Sequence, residues 1–446
     1  VDGSPTIADI YAGGWKTILI GGLRGGGGEY YAIDITNPSG TVPATPLWSF
    51  KDNRLGKTYG FPVVGKIGGQ WKVLLSSGYD NRDNKGYVFV LNANTGALEK
   101  TFTTSCTATD GTCGISKIGA LFTEPDVDDT IKMAYAGDLA GNLWRFDVNG
   151  EGGAAVLVAT TGTSALRQPI SSAPLIKEVP EYKNAGGVAA HYVNFGTGRF
   201  INQNDMSTTD TQTMYGLIVD PSLGSIDSSF SNLRSTGSLI ELVIDKTCDK
   251  TIKDNVGGVV TSLDGINNSN LSSNCPNAVA GNGIDQFQNT DGNFDTITLK
   301  RAANTALGTD LTTCKNNTKG WRANLPISKE RIPNDPFPFD TFGVFTSIVP
   351  GADSCTPGGV SREYKMPLKL SKDWLCANPS SNTFISIGKN VDGTLSDDLS
   401  RRVTITTNKL DSILVNPDPT KPSTIIDARL KTQVKGRRSS WSEILR

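Results

Sequence analysis

Residues 131–150, IKMAYAGDLAGNLWRFDVNG, contain the clearest structural pattern in this chain. An apolar run ends in Gly-Asp, small residues follow, and a second apolar run ends in Val-Asn-Gly. Short apolar runs bounded by such turn residues are typical of β-strands. The stretch therefore predicts an antiparallel hairpin, and its alternation of residue types favours strands with one face turned inward.

The same pattern occurs in three other places. They are WKTILIGG…EYYAIDIT from Trp15, WKVLLSSG…GYVFVLNANTG from Trp71 and HYVNFGTG…MYGLIVD from His191. With Ile131, the four starts lie 56, 60 and 60 residues apart. A strand repeat with a period of roughly 40–60 residues is typical of propeller blades, since one hairpin cannot bury its own face and radially packed sheets can. PVVGKI and APLIKEV are predicted as innermost strands, and the fold class is all-β, a modified β-propeller.

The repeat stops near residue 235. Residues 236–318 are rich in Asn, Ser, Thr, Asp and Gly and contain three cysteines, which favours a loop-rich insertion over a disordered linker. The blade pattern resumes with KGWRANLP and GVFTSIVPG, and NTFISIG, RVTITT and STIIDAR are later strand candidates. We therefore predict first blades at 1–235, an insertion at 236–318, and remaining blades with a C-terminal closure at 319–446.

Composition excludes several classes of protein. Among 446 residues there are 49 glycines, and only 20% are charged, which argues against a helical bundle. A net charge of −1 gives no field to attract nucleic acid or an anionic membrane. The single histidine, His191, excludes most catalytic zinc sites and is expected to serve packing. No apolar run approaches the roughly 18 residues of a membrane span, and no signal peptide is recognisable. The start at Val1 indicates a mature product or an excised part of a longer polypeptide.

The seven cysteines lie in polar, loop-like surroundings, which favours disulfides and export over buried thiols. Cys106 and Cys113 bracket a short turn that a disulfide can close, and Cys355 and Cys376 are a second candidate pair. The odd number leaves one cysteine without a partner, and we expect it among Cys248, Cys275 and Cys314.

Large and polar side chains of the blades have expected structural roles. Asp138 is expected to accept hydrogen bonds from backbone amides of the hairpin turn. Five tryptophans are expected in the core or between blades, namely Trp15, Trp48, Trp71, Trp144 and Trp321.

At residues 135–147, YAGDLAGNLWRFD closely resembles the signature of the C-terminal domain of the type IV pilus PilC/PilY tip-associated proteins. Further similarities are GGLRGGGGEYYAIDIT, GYDNRDNKGYVFVLNANTG, NFGTGRF, FTSIVPGADSCTPGG and the closing GRRSSWSEIL. Together they cover most of residues 10–220, about 319–366, and the last dozen residues, whereas 236–318 has no recognised counterpart.

The resemblance implies a modified β-propeller, in agreement with the repeats. It implies a non-enzymatic protein exported to the bacterial surface, at the pilus tip or the outer membrane. Such proteins support pilus assembly, oppose retraction and mediate adhesion and twitching motility, so pilins, minor pilins and a host-cell surface are the expected partners. We interpret the chain as the pilus-biogenesis domain without the adhesive N-terminal region of the family.

The resemblance also implies an EF-hand-like calcium loop before the hairpin. Its positions fall on Glu124, Asp126, Asp128, the Thr130 carbonyl and Lys132. Alternating carboxylates suit a hard cation such as Ca²⁺, but Glu replaces the first Asp and Lys132 replaces the last. The lysine ammonium either repels a cation or takes its place and pairs with Asp126 and Asp128. Two alternatives stay open: a calcium loop that switches a docking surface, and an acidic turn stabilised by Lys132.

Two other functions are compatible with a propeller. A quinoprotein-like dehydrogenase commonly has adjacent cysteines, which this chain lacks, and absorbance after addition of quinone and calcium would identify one. A glycan-binding or glycan-hydrolysing propeller would be identified on a glycan array, and hydrolysis would need paired carboxylates.

Overall fold

The fold consists almost entirely of antiparallel β-sheet. The computed structural model describes residues 3–37, 44–108, 112–123, 127–163, 167–251, 287–288, 293–301, 305–308, 310–339, 342–350, 359–367, 372–376 and 391–393. The later strand candidates NTFISIG, RVTITT and STIIDAR lie outside these ranges.

Each of the first three sheets is a four-stranded meander whose strands follow chain order. The first contains β1 (Thr6–Tyr11), β2 (Trp15–Gly22), β3 (Glu29–Asp34) and β4 (Thr45–Lys51). The second contains β5 (Val63–Ile67), β6 (Gln70–Ser76), β7 (Tyr87–Asn92) and β8 (Leu98–Thr103). The third contains β9 (Ile115–Phe122), β10 (Ile131–Asp138), β11 (Asn142–Phe146) and β12 (Val156–Thr160). The predicted hairpins are thus the second and third strands of these sheets.

The fourth sheet is completed by a strand from much later in the chain. Its strands are β13 (Leu175–Lys183), β14 (Ala189–Gly196), β15 (Thr213–Val219), β16 (Ile240–Thr251), β17 (Phe287–Gln288), β18 (Asn293–Arg301) and β19 (Gly320–Asn324). β13, β14, β15 and β19 form the four-stranded meander, and β16 pairs in parallel with β19 at Ile240 and Trp321. The stretch predicted as an insertion therefore extends the outer edge of this blade with β16, β18 and β17.

A fifth sheet contains β20 (Phe337–Phe339), β21 (Phe342–Pro350), β22 (Gly359–Pro367) and β23 (Val391–Gly393). The helices are short: α1 (Leu311–Asn317) and α2 (Lys372–Cys376), with single 3₁₀ turns at Gln203–Met206, Ser228–Phe230 and Thr305–Leu307. None of the helices in the described ranges is long and apolar enough to cross a bilayer.

Separate hydrophobic cores lie between successive sheets. On β6, Val73 and Leu75 join the core shared with the first sheet, whereas Leu74 joins the core shared with the third. Successive strand residues point to opposite faces, so a blade with two neighbours buries both. The five residues YVFVL of β7 are all buried, so the expectation that only one face points inward was wrong.

The first strands of the second, third and fourth blades lie together, innermost in the fold. β9 contacts both β5 and β13, which are the first strands of the neighbouring sheets. Close backbone approaches explain the glycines here, since an added methyl group at Gly119 would lie 1.9 Å from the Pro174 carbonyl oxygen. Gly137 on β10 is equally confined, because its methyl group would lie 2.2 Å from Ile170 Cγ2. Sheets arranged in this way around a common axis are the architecture of a β-propeller.

The tryptophans divide into buried and exposed positions. Trp144 and Trp321 are 1% and 0% exposed and lie between blades, as predicted. Trp15 is 65% exposed, so its predicted burial was wrong. It stands beside the turn of the β1–β2 hairpin, opposite Tyr11, and its only ring contact with the second blade among the described residues is an edge-on one to Trp71 at 6.5 Å between centroids.

Two disulfides occur among the described residues. Cys106–Cys113 is confirmed, and the backbone amide of Cys113 donates to Asn84 Oδ1 at 3.4 Å, so the bridge fastens the loop before β9 to the second blade. Cys376 forms its disulfide with Cys314, so the predicted pair Cys355–Cys376 was wrong. Cys314 is therefore excluded as the cysteine without a partner. α1 and α2 pack together, which brings the two thiols into reach across 62 residues. Cys355 and Cys275 lie outside the described residues.

Candidate functional site

The hairpin of β10 and β11 is organised by one buried carboxylate. Asp138 is 0% exposed and accepts hydrogen bonds from the Asn142 backbone N–H at 2.9 Å, from Asn142 Nδ2 at 2.8 Å and from Trp144 Nε1 at 2.8 Å. Its predicted role in the turn is confirmed. Burial raises the pKa of Asp138 to about 6, against the lowering effect of these donors. The carboxylate therefore fixes both the turn and the orientation of the large indole between blades.

A second polar contact joins the third and fourth blades. Tyr135 Oη lies 2.8 Å from His191 Nδ1, and both side chains are buried. Burial lowers the pKa of His191 to about 4. The imidazole is consequently neutral at physiological pH and serves as a hydrogen-bonding part of the interface, in agreement with its expected packing role.

We expect His191 to weaken the fold in acid. Its pKa is about 4 in the folded chain and about 6.5 when unfolded, so the stability it provides is complete above pH 6.5 and is lost as the pH falls towards 4. Relative to His191→Gln, the wild-type free energy of unfolding should fall by about 3 kcal/mol between pH 7 and pH 4. Urea unfolding of both chains at several pH values measures this. A pH-independent difference between them would contradict the prediction.

The loop before β10 and the second residue of β10 contain the predicted calcium positions. Glu124 and Asp126 lie outside the described residues, so the structure places only Asp128, Thr130 and Lys132. Asp128 Oδ1 lies 3.6 Å from Lys66 Nζ of β5. The Thr130 carbonyl accepts the backbone N–H of Thr123 at 2.8 Å. These three positions are therefore not gathered around one centre by their observed contacts.

Lys132 points to the opposite neighbour. Its Nζ lies 2.6 Å from Glu178 Oε2 on β13, so its observed partner is Glu178, while Asp128 has its own lysine in Lys66. Across the described residues, no three His, Cys, Asp or Glu side chains are grouped as a metal site. The three described positions thus offer an ammonium, a paired carboxylate and an engaged carbonyl, whereas Ca²⁺ takes six to eight oxygen ligands.

Sequence reasoning did not identify Lys66, Glu178 or Arg145 as parts of this region. Arg145 on β11 is 5% exposed and donates to the backbone carbonyls of Asp220 at 3.4 Å and Leu223 at 2.6 Å, which ties the hairpin to the fourth blade. Each of these residues lies on a different repeat from its partner. The only available signal was the repeat itself. It indicates that equivalent hairpins lie side by side, but it does not give the angle between one blade and the next, which decides which side chains meet.

Radial four-stranded blades, with a buried aspartate in one hairpin and polar links between blades, define a β-propeller. The model of the PilY1 β-propeller domain family matches residues 1–255. The chain belongs to this family, and the all-β propeller prediction is confirmed.

Individual relatives agree with this assignment. A type IV pilus biogenesis factor PilY1 homolog of Xylella fastidiosa is 29% identical in an alignment of 243 positions that covers 49% of this chain and 16% of the relative. PilY1 of Pseudomonas aeruginosa strain PAK is 29% identical in an alignment of 281 positions that covers 56% of this chain and 23% of the relative. This chain thus spans less than a quarter of either relative.

A solved structure shows the same fold. The C-terminal domain of Pseudomonas aeruginosa PilY1 is similar with a TM-score of 0.58 and 22% identity, over 82% of this chain and 71% of that domain.

Proposed function

We propose that this chain is the propeller module of a type IV pilus biogenesis factor at the bacterial surface. The observation that carries the proposal is the family match over residues 1–255, which spans the first three blades and the first strands of the fourth. Both relatives compared above have names that describe type IV pilus biogenesis factors or their homologs. The module acts at the pilus tip, where it supports assembly, opposes retraction and contributes to adhesion.

The module works by contact and not by turnover. A separate hydrophobic core lies between each pair of successive blades, a disulfide fastens the loop between the second and third blades, and Asp138 fixes the β10–β11 hairpin of the third. A scaffold with so many buried inter-blade contacts keeps its surface loops in fixed relative positions. Pilins or minor pilins are the partners that such a platform would hold.

Deletion of the propeller from the full-length protein is expected to abolish surface pili and twitching. The strain should lack its own copy and should carry either the complete protein or the form without the propeller. Surface pilin is measured after shearing, and equal export of the two forms is checked on intact cells. Normal piliation by the shortened form would contradict the proposed function.

A comparison of the same two forms of the protein can also distinguish a role in pilus assembly from a role in opposing retraction. In a strain that cannot retract pili, a module that only opposes retraction becomes dispensable, and surface pilin returns without it. A module required for assembly leaves the cells bare in that background. Our proposal includes both roles, so we expect partial recovery of surface pilin.

A further inference from the structure

The loop between β9 and β10 is attached to the second blade through Lys66. The Lys66 backbone N–H donates to the Asp129 carbonyl at 2.8 Å, and Lys66 also forms an isolated parallel bridge with Thr130. The ammonium of the same residue lies 3.6 Å from Asp128 Oδ1. Backbone and side chain of one lysine therefore hold three consecutive loop residues.

The other end of the loop is attached to the fourth blade. Lys132 Nζ lies 2.6 Å from Glu178 Oε2, and Asn149 Nδ2 donates to the carbonyls of Ile131 at 2.9 Å and Lys132 at 3.1 Å. The first residues of β10 are thereby fixed from both the hairpin and the neighbouring blade. The loop belongs to the third blade, yet its position is determined by the second and the fourth.

The backbone of the loop shows that it needs such support. Asp129 has a φ of 56°, a left-handed conformation that a non-glycine residue adopts at a cost. Its carbonyl is the one that accepts the Lys66 N–H, so the strained residue is held by the second blade. A turn of this kind stays ordered only where its surroundings determine it.

We propose that this loop is a metal-independent clamp between blades, in which Lys66 and Lys132 do the work of a divalent cation. A cation in a carboxylate loop neutralises negative charge and connects chain segments that are distant in sequence. Lys66 neutralises Asp128 and connects the loop to β5, and Lys132 connects it to Glu178 on β13. The positive charge at residue 132 also repels an incoming cation. Calcium would then not regulate this propeller.

Calcium and a chelator test the inference on the wild-type chain. Extracellular calcium modules bind at about 0.1–1 mM, so about 5 mM CaCl₂ saturates such a site. A bound ion raises the melting temperature by mass action. We expect melting temperatures in CaCl₂ and in EGTA to agree within about 1 °C, because no bound ion contributes to stability. A rise of several degrees in calcium would overturn the proposal.

Hydrogen exchange tests the lysines directly. A single exposed ion pair contributes little to global stability, so a local measurement is more informative. In the double variant Lys66→Met, Lys132→Met, we expect exchange in residues 127–132 to be several-fold faster, and calcium should not restore protection. Lys51→Met is the matched control, since Lys51 pairs with Glu29 at 3.2 Å on the first blade.

Two outcomes would overturn the proposal in this experiment. One is exchange in the double variant no faster than in Lys51→Met, and the other is protection that returns with calcium. Both measurements are made on the purified chain, so they do not depend on the proposed role in pili.

Discussion

Removal of the Cys314–Cys376 disulfide is expected to lower the free energy of unfolding by about 4 kcal/mol. The bridge closes a loop of 62 residues by sequence separation, and the entropy that a cross-link removes from the unfolded chain grows with the length of that loop. Both cysteines are buried, at 1% and 6% exposure, so alanine is the appropriate replacement because it leaves no unpaired hydroxyl group. Guanidinium unfolding of Cys314→Ala, Cys376→Ala without reductant measures the loss.

The first disulfide is the natural control. Cys106–Cys113 has a sequence separation of only 7, so Cys106→Ala, Cys113→Ala should cost about 2 kcal/mol by the same entropic argument. The ratio of the two losses is the informative quantity. A smaller loss for the long loop than for the short one would show that chain entropy is not the source of the stabilisation.

The hairpins could be predicted from sequence because each is local. A run such as WKVLLSSG, a polar connection that contains glycines, and YVFVL specify two adjacent strands whatever surrounds them, and all four repeats are observed as hairpins. Burial of both faces of β7 was not predictable from that run alone. It depends on packing against the first blade on one side and the third on the other, which only the folded chain supplies.

Contacts between repeats could not be predicted from the sequence. β19 pairs with β15 across about 100 residues, and local patterns carry no register over such a distance. The pairing of Cys314 with Cys376 follows from the packing of α1 on α2, and proximity along the chain favoured the wrong partner. Lys66 meets Asp128 only because first strands of neighbouring blades lie together at the centre. The part of the candidate site that depends on one hairpin, Asp138, was therefore predicted, and the part shared between blades was not.

Substitution of Asp138 by alanine is expected to lower the free energy of unfolding by about 3–5 kcal/mol. The change leaves three donors without their acceptor inside the protein: the Asn142 backbone N–H, Asn142 Nδ2 and Trp144 Nε1. Each buried donor without a partner costs about 1–3 kcal/mol. Urea unfolding at pH 7 measures the effect. Trp144→Phe is the control, since it removes one donor together with part of the indole and leaves the Asn142 bonds intact.

For Asp138→Asn, the difference in free energy of unfolding from wild type should change with pH, and the raised pKa of Asp138 determines the direction of that change. Burial raises the Asp138 pKa to about 6 in the folded chain, against about 3.9 when unfolded. A carboxyl group with a raised pKa stabilises the fold fully below pH 4, and this contribution is lost as the pH rises through 6. Wild type should therefore lose up to about 3 kcal/mol relative to Asp138→Asn between pH 4 and pH 7.

His191 changes the wild-type stability in the opposite direction over almost the same pH range, so the wild-type curve alone would hide both effects. The two effects can be separated only by subtraction. For each variant, its free energy of unfolding is subtracted from that of wild type at the same pH. The cost of Asp138→Asn should be larger at pH 4 than at pH 7, and the cost of His191→Gln should be larger at pH 7 than at pH 4. An Asp138→Asn cost that grows with pH would mean that the three donors outweigh burial and that the carboxylate is charged throughout.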